Sequence, residues 1–361
     1  MLQCHYAGHW GNVSVEYRAI GKSGLSASAI ALGCEHIMRE SREEAIAVIR
    51  EAIDSGINYM DAIWAYPDYR DMIGVALKGR RDRVLLTGHL GANVISGQSG
   101  RTREPAEALI WFEDFLRRAG TDRADVAMIH YVQDRDDYRD VIEGGLLDLA
   151  ERLKRNGGIR LIGLSAHSPD VLLPAIHSGR VDLVMAPVNL CWCPDGVPEA
   201  CEASGTGLIA MKPYHGGWFF HKPYSDVITP AAALNYALSR PGVSTVLAGV
   251  KNRQELYSTL AAFDATDEDR DFSHTLASLP EKLYGTCVYC EHCLPCTAGI
   301  EISQVTQSLD LFDRGENSAS WYQSLRAKAS ACTECGVCLD RCPLKVDILA
   351  YMKRAVKAFG V

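Results

Sequence analysis

Eight cysteines near the C-terminus are spaced for metal chemistry. Cys287, Cys290, Cys293 and Cys296 fall within "CVYCEHCLPC", and Cys332, Cys335, Cys338 and Cys342 within "CTECGVCLDRCP", which ends on Pro343. The second run is C-x2-C-x2-C-x3-C-P, the pattern of bacterial-type [4Fe–4S] sites. There, three closely spaced thiolates hold one cluster and the fourth ligates the other. On that logic Cys287, Cys290, Cys293 and Cys342 hold one cluster, and Cys332, Cys335, Cys338 and Cys296 hold a second. The first run departs slightly, with two residues before its fourth cysteine and Thr297 in place of proline. Structural zinc prefers C-x-x-C pairs separated by a long loop and fits two runs of four less well. Disulfides belong to oxidising compartments.

Composition narrows the setting for this chemistry. The chain has 361 residues, of which 47% are hydrophobic and 23% charged, enough apolar material for a large core. Its formal net charge of −8 offers no argument for a nucleic-acid or anionic-membrane partner. The start, "MLQCHYAGHWGNVSVEYR", lacks a charged segment followed by an apolar one, and no apolar run is long enough to span a bilayer. A soluble cytoplasmic protein is expected, in which clustered cysteines serve as metal ligands. The scattered cysteines (Cys4, Cys34, Cys191, Cys193 and Cys201) read as packing.

The elements that must position a site come next. Eight short apolar runs read as strands: "AIALGC", "INYMDA", "RVLLTGHL", "ADVAMIHY", "IRLIGLS", "VDLVMAPV", "GLIAMKP" and "STVLAGV". Apolar on successive positions, they suit parallel strands covered on both faces. Between them lie helical segments with start and stop signals. "SREEAIAVIREAIDSG" carries Ser41 and Glu44 as a capping box. "EPAEALIWFEDFLRRAG" has Pro105 in its first turn and Gly120 after its last, and "TPAAALNYALSRPG" starts at Thr229. Eight alternations predict a (β/α)8 TIM barrel, with a doubly wound sheet as the alternative. The expected organisation is an N-terminal extension over 1–14, the barrel over 15–270 and a small, mainly helical iron–sulfur domain over 271–361. In that domain Ile302, Val305, Leu309 and Phe312 have helical spacing.

Chemistry in such barrels sits at the C-terminal ends of the strands. There the chain has Asp61 and Tyr66 in "MDAIWAYPDYRDMIGVAL", followed by Gly74 and Ala76–Leu77, and His130 in "DVAMIHY". Together with the opening "EYRAIGKSGLSASAIALGC", these residues resemble the aldo-keto reductase superfamily over roughly residues 15–262. With the tail, the chain is similar to the subgroup carrying a C-terminal ferredoxin-type 2[4Fe–4S] domain. The resemblance implies carbonyl reduction by hydride from a nicotinamide cofactor, NADP(H) or NAD(H). Tyr66 would be the general acid, His130 would orient the carbonyl, and Asp61 would belong to the charge network that tunes the tyrosine. Asp61 could otherwise cap the following helix. The family's lysine at the end of strand three falls on Gly88 in "LLTGHLG". Neighbouring strand residues face opposite ways, so His89 is expected to be a loop or core histidine.

The resemblance also distributes a cofactor site. Ser165 lies in "GLSAHS", while Met185 occupies the position of the family's carboxamide-binding glutamine, with Asn189 matching downstream. Lys212, Gly216 and Gly217 in "MKPYHGG" match a pyrophosphate-side loop, and Gly249, Lys251, Asn252 and Glu255 in "GVKNRQEL" an adenosine-side segment. The phosphate side is kept and the nicotinamide side altered. The expected function is an iron–sulfur oxidoreductase acting on a small carbonyl or hydroxyl substrate, with electrons relayed through two clusters to or from an electron-transfer partner. Two alternatives are a nicotinamide-independent enzyme fed through the clusters, and a non-catalytic electron-transfer or binding protein on a retired barrel.

Overall fold

The computed structural model describes residues 14–279 and 285–360. The extension expected over 1–14, with Cys4, lies outside them except for Ser14. Eight parallel strands close into a barrel in sequence order: β1 (Ile30–Gly33), β2 (Tyr59–Ala62), β3 (Leu85–Leu90), β4 (Val126–Val132), β5 (Leu161–Ala166), β6 (Leu183–Pro187), β7 (Gly207–Met211) and β8 (Val243–Gly249). Closure excludes the doubly wound alternative. Every residue of β4 and β5 is buried, as helices outside and side chains inside require.

The barrel interior is a packed core. Ala31, Tyr59, Met128, Leu161, Met185 and Leu247 belong to one buried cluster, with Leu85 packed against it. An antiparallel pair, Tyr17–Ala19 with Ser26–Ser28, precedes β1. Ile20 and Ala27, from this hairpin, join the same cluster. A Cβ added to Gly207, the first residue of β7, would lie 2.8 Å from Ile20 Cγ2. The hairpin therefore closes the N-terminal end, and the C-terminal end is left for chemistry.

The helices follow their local signals, with one exception. Helix Pro105–Ala119 ends on Gly120 in the left-handed region, and Thr229 caps helix Pro230–Leu238 through the amide of Ala232. Ser41 accepts the amide of Glu44 at the start of helix Arg42–Asp54. The Glu44 carboxylate, however, turns to the Arg253 guanidinium at 3.0 Å, so the reciprocal half of the expected capping box gives way to a tertiary ion pair. Gly74, in helix Pro67–Leu77, marks the closest approach to helix Pro105–Ala119: a Cβ there would stand 2.1 Å from the Arg118 carbonyl oxygen.

The chain divides into two compact units. The first contains the described residues up to Asn93 together with Arg101–Leu279; the second contains Val94–Gly100 and the described residues beyond 284. Ala92–Ile95 and Gln98–Arg101 pair as a separate two-stranded sheet, so the tip of this hairpin groups with the second unit. Helices Ile302–Asp313, Ala319–Ser324 and Ile348–Phe359 build that unit around Val305, Leu309, Met352 and Ala355, with Tyr322 stacked on Phe359 at 4.1 Å. Ile302, Val305 and Leu309 are buried as their spacing predicts, whereas Phe312 is exposed. Among the described residues, no helix is long and apolar enough to cross a membrane.

Candidate active site and cysteine sites

Three adjacent strands place polar side chains at the C-terminal end of the barrel. Asp61 on β2 pairs with Thr87 on β3, and His89 on β3 with Met128 on β4. Side chains alternate along a strand, so Leu85, Thr87 and His89 share the inward face with Tyr59, Asp61, Met128 and His130. The Thr87 hydroxyl donates to Tyr59 Oη at 2.9 Å, inside the barrel. One layer further out, His89 Nε2 lies 3.0 Å from Asp61 Oδ1, and His89 Nδ1 lies 2.8 Å from His130 Nδ1. All three residues are buried.

This arrangement corrects two expectations. Position 88 does not face the site: a Cβ on Gly88 would sit 2.3 Å from Phe115 Cε1, on the helix outside the barrel. His89, one residue on, is the inward residue: it is buried in β3, as expected of a core histidine, and pairs with Asp61 and His130. Asp61, in turn, does not cap the next helix. Tyr66 is the N-cap of Pro67–Leu77, with no side-chain cap bond, and Asp61 accepts from His89 instead. Gly88→Ala is therefore expected to destabilise the fold by about 1–3 kcal/mol, the usual cost of overpacking. Urea denaturation would measure this, and an unchanged midpoint would show that Phe115 moves aside freely. Gly88→Lys would add bulk against Phe115 without bringing an ammonium into the site.

The backbone of His130 is held from both sides. Pairing between β4 and β5 is irregular between Ile129 and Val132, and Tyr131 has φ 31°. Ser165 Oγ accepts the Tyr131 amide at 2.8 Å and donates to the Ile129 carbonyl at 3.3 Å, stapling the irregular turn around His130. The Arg103 guanidinium donates to the carbonyls of His130 (2.9 Å) and Tyr131 (2.7 Å), and also holds Asp137. Burial pushes the His130 imidazole well below the ordinary histidine pKa, and the neighbouring charges of His89, Arg103 and Arg101 add to this. Both effects favour the neutral imidazole. Tyr66 is half-buried, its ring 6.2 Å from that of Trp64. The loop carrying both is anchored by Trp64 Nε1 on the Glu35 carbonyl at 2.9 Å and by buried Arg70 on the Trp64 carbonyl at 3.4 Å.

The residues matched to a nicotinamide cofactor already serve the fold in several ways. Ser165 staples β4, as described. Asn189 is fully buried, donating to the Lys212 carbonyl and accepting the Cys191 amide. Met185 is part of the barrel core. Asn252 caps helix Arg253–Leu260 through the Glu255 amide, and the Glu255 carboxylate accepts from the Lys251 amide and ammonium. Lys212 Nζ stands 3.7 Å from Glu35 Oε2. Gly249 ends β8, and a Cβ there would meet His36 at 3.4 Å. Gly216 and Gly217, both at positive φ, form a turn, and no heavy atom lies within 4 Å of a Cβ built on Gly217. That open backbone turn is the part of the set suited to an anionic group.

In the second unit the two cysteine runs share the backbone pattern around their second cysteines, although the second run continues into a helix over Val337–Arg341. Tyr289 and Glu291 flank Cys290, and Glu334 and Gly336 flank Cys335, all at positive φ of 55–80°. Three of these four are not glycine, and such strain persists where the surroundings require a tight loop. The thiols gather across the runs. Burial pushes Cys293 well up, and the charges of Cys287, Cys290 and Cys342 act in the same direction. Burial also raises Cys338, and it is flanked electrostatically by Cys332, Cys296 and Cys335. Backbone amides point at sulfur: Val346 N lies 3.4 Å from Cys342 Sγ, and Glu334 N lies 3.4 Å from Cys332 Sγ. A cleft is lined by Cys293, Cys296, Cys332, Cys335 and Cys338 with Ile300 and Met352. Gln98 secures one edge, accepting the Cys296 amide at 2.8 Å and donating to the Ile300 carbonyl at 3.1 Å. Among the described residues, no group of three or more His, Cys, Asp or Glu side chains is arranged to hold a single metal ion. Of the other cysteines, Cys34 and Cys201 are buried and Cys191 and Cys193 half-buried.

Comparison with known proteins places the barrel. The aldo/keto reductase family model matches residues 29–230. The chain belongs to the aldo/keto reductase family. As a member it is an oxidoreductase. It is 26% identical over 287 residues to the uncharacterized oxidoreductase YqkF of Bacillus subtilis (strain 168), covering 69% of this chain and 91% of that one. It is 23% identical over 291 residues to the L-galactose dehydrogenase of Arabidopsis thaliana, covering 69% and 88%. Among solved structures, the holo form of the aldo-keto reductase AKR11C1 from Bacillus halodurans superposes with a TM-score of 0.65 at 22% identity, covering 75% of this chain and 99% of that chain. PA4992 from Pseudomonas aeruginosa superposes with a TM-score of 0.60 at 25% identity, covering 68% and 93%.

Proposed function

We propose that this oxidoreductase acts on a small carbonyl- or hydroxyl-bearing substrate at the barrel mouth, with electrons relayed through two [4Fe–4S] clusters in its C-terminal unit. What supports the proposal is the C-x2-C-x2-C-x3-C-P spacing of the second run, together with the charge of Cys342 acting on Cys293 and that of Cys296 on Cys338. Two runs of soft thiol donors with matching positive-φ residues about their second cysteines, and amides directed at sulfur in the second run, suit cubane clusters, in which each thiolate ligates a different iron. Cys287, Cys290, Cys293 and Cys342 would hold one cluster, and Cys332, Cys335, Cys338 and Cys296 the other. When bound, the clusters exchange single electrons and a nicotinamide carries a hydride. NADP(H) or NAD(H) would lie along Lys212 and the Gly216–Gly217 turn. Tyr66 and His130 are the groups assigned to the substrate oxygen. One relative is a dehydrogenase of L-galactose, and a small hydroxyl substrate is in keeping with the same chemistry. Two clusters suit traffic with a separate electron-transfer protein.

Met185 supports a second reading. Its burial in the barrel core puts an apolar side chain where the family resemblance expects a carboxamide partner, which favours an enzyme fed through the clusters without a nicotinamide. Anaerobic purification is expected to give about eight iron and eight sulfide per chain. Zinc without sulfide would remove the cluster reading. Fluorescence titration with NADPH and NADH separates the two readings, and binding of neither would leave the second.

A further inference from the structure

The two cysteine sets of the second unit meet solvent differently. Around the first run Val288, Tyr289 and Leu294 are buried, and so is Cys342, the cysteine assigned to that set from the second run. Asp310 closes this side, accepting from Tyr289 at 2.8 Å and from Tyr351 at 3.2 Å. Around the second run the chain lies open. Thr333, Glu334, Cys335 and Val337 are exposed, and so is Thr297, whose Oγ1 stands 3.8 Å from Cys335 Sγ. Thr297, Thr333, Gly336 and Val337 all line the cleft beside Cys335, so the face over this sulfur is small and uncharged.

Charge is arranged around that face. Residues 325–361 carry seven Lys or Arg against three Asp or Glu, in a chain whose formal net charge is −8. The remainder of the chain is therefore strongly acidic. Lys353 is exposed, pairs with Glu334 at 2.9 Å and stands within electrostatic reach of Cys332. Arg326, also exposed, borders another cysteine of the set. A Cβ on Gly97 would lie 3.6 Å from Arg326 Nη1, and the next residue, Gln98, holds the Cys296 amide. The nearest carboxylates are engaged, Glu334 by Lys353 and Glu301 by Gln98 at 3.2 Å.

We propose that the face over Cys335 is where an acidic one-electron carrier protein docks and exchanges electrons with the cluster of the second set. The inference rests on the cluster reading above. Electron-transfer encounters need close approach rather than a large interface, and bury less than about 1,200 Å². Small side chains over one sulfur permit that approach, whereas Val288 and Tyr289 shield the first run from it. The basic segment sets the sign of the partner. A carrier rich in Asp and Glu is repelled by the acidic remainder of the chain and drawn to this face. One electron crosses per encounter, lost by one centre and gained by the other, with no bond made or broken.

Stopped-flow oxidation of the dithionite-reduced, cluster-loaded full chain by an acidic flavodoxin tests the port. The rate constant is expected to fall about tenfold as salt rises, the opposite of what the net charge of −8 alone would give. Arg326→Glu with Lys353→Glu should lower the low-salt rate about tenfold with iron content unchanged. Arg155→Glu, at an exposed position of the first unit, should leave it unaltered. If the double Glu variant loses iron, Arg326→Gln with Lys353→Gln makes the same comparison. A carbodiimide, which joins a carboxylate to an amine, should link the flavodoxin to Lys353. A rate that rises with salt, a double variant as fast as the wild type, or links confined to lysines before residue 280 would overturn the port even with eight iron per chain. A chain that purifies anaerobically without iron fails earlier, at the cluster reading itself.

Discussion

On the ligation proposed above, Cys342→Ser is expected to empty the cluster of the first cysteine run, although Cys342 lies in the second. Iron should fall from about eight to about four per chain, because serine oxygen is a poor replacement for a thiolate on iron. The reading rests on the charge of Cys342 acting on Cys293 and on the Val346 amide directed at the Cys342 sulfur. Alkylation distinguishes the two patterns of ligation. In the variant, Cys287, Cys290 and Cys293 should become reactive toward iodoacetamide while Cys332, Cys335 and Cys338 stay protected. Uncrossed ligation predicts the opposite set, and mass spectrometry of the labelled peptides decides between them. Cys296→Ser should give the mirror result.

Arg103→Leu should cost stability as well as the placement of His130. The guanidinium makes two hydrogen bonds to the Asp137 carboxylate, at 2.6 and 2.8 Å, besides the two to the backbone at His130 and Tyr131. Asp137 is largely buried, and Arg101, 3.7 Å away, is too distant to replace those bonds. Removing one partner of such a pair costs about 3–5 kcal/mol. The pH dependence follows from the sign of the shift. Burial alone would raise the Asp137 carboxyl, but its bonds to Arg103 and the charges of Arg103 and Arg101 hold it below the ordinary value. A depressed folded-state pKa stabilises above the unfolded value, near pH ~3.9, and that contribution is lost as pH falls through the lower folded value. The gap between wild type and variant in urea denaturation should be full at neutral pH and should narrow below pH ~4. A gap that does not change with pH would place the loss in packing rather than in the ion pair.

The sequence alone carried the architecture. Eight apolar runs at barrel spacing became the eight strands in order, because continuous apolar patterning leaves a strand nowhere to sit except between two covered faces. The left-handed cap at Gly120 and the Thr229 cap followed local rules that need no partner. Gly74 was visible as part of a motif, but its reason, the Arg118 carbonyl against it, was not. The capping box at Ser41 was half right because Glu44 found a stronger partner in Arg253, 209 residues away. The site residues Asp61 and His130 were legible from their strand-end positions. His89 was not, although counting inward positions from Leu85 through Thr87 would have reached it.

The difference lies in what each inference depends on. Strand and helix patterning, capping and the spacing of the cysteines are set within a few residues, so the chain's own order determined them. Which of two neighbouring residues enters the barrel is set by register against the adjoining strands, and a one-residue displacement exchanges the faces. Only the pairing of Asp61 with Thr87 and of His89 with Met128 decided that Gly88 meets Phe115 outside while His89 joins Asp61 and His130 within.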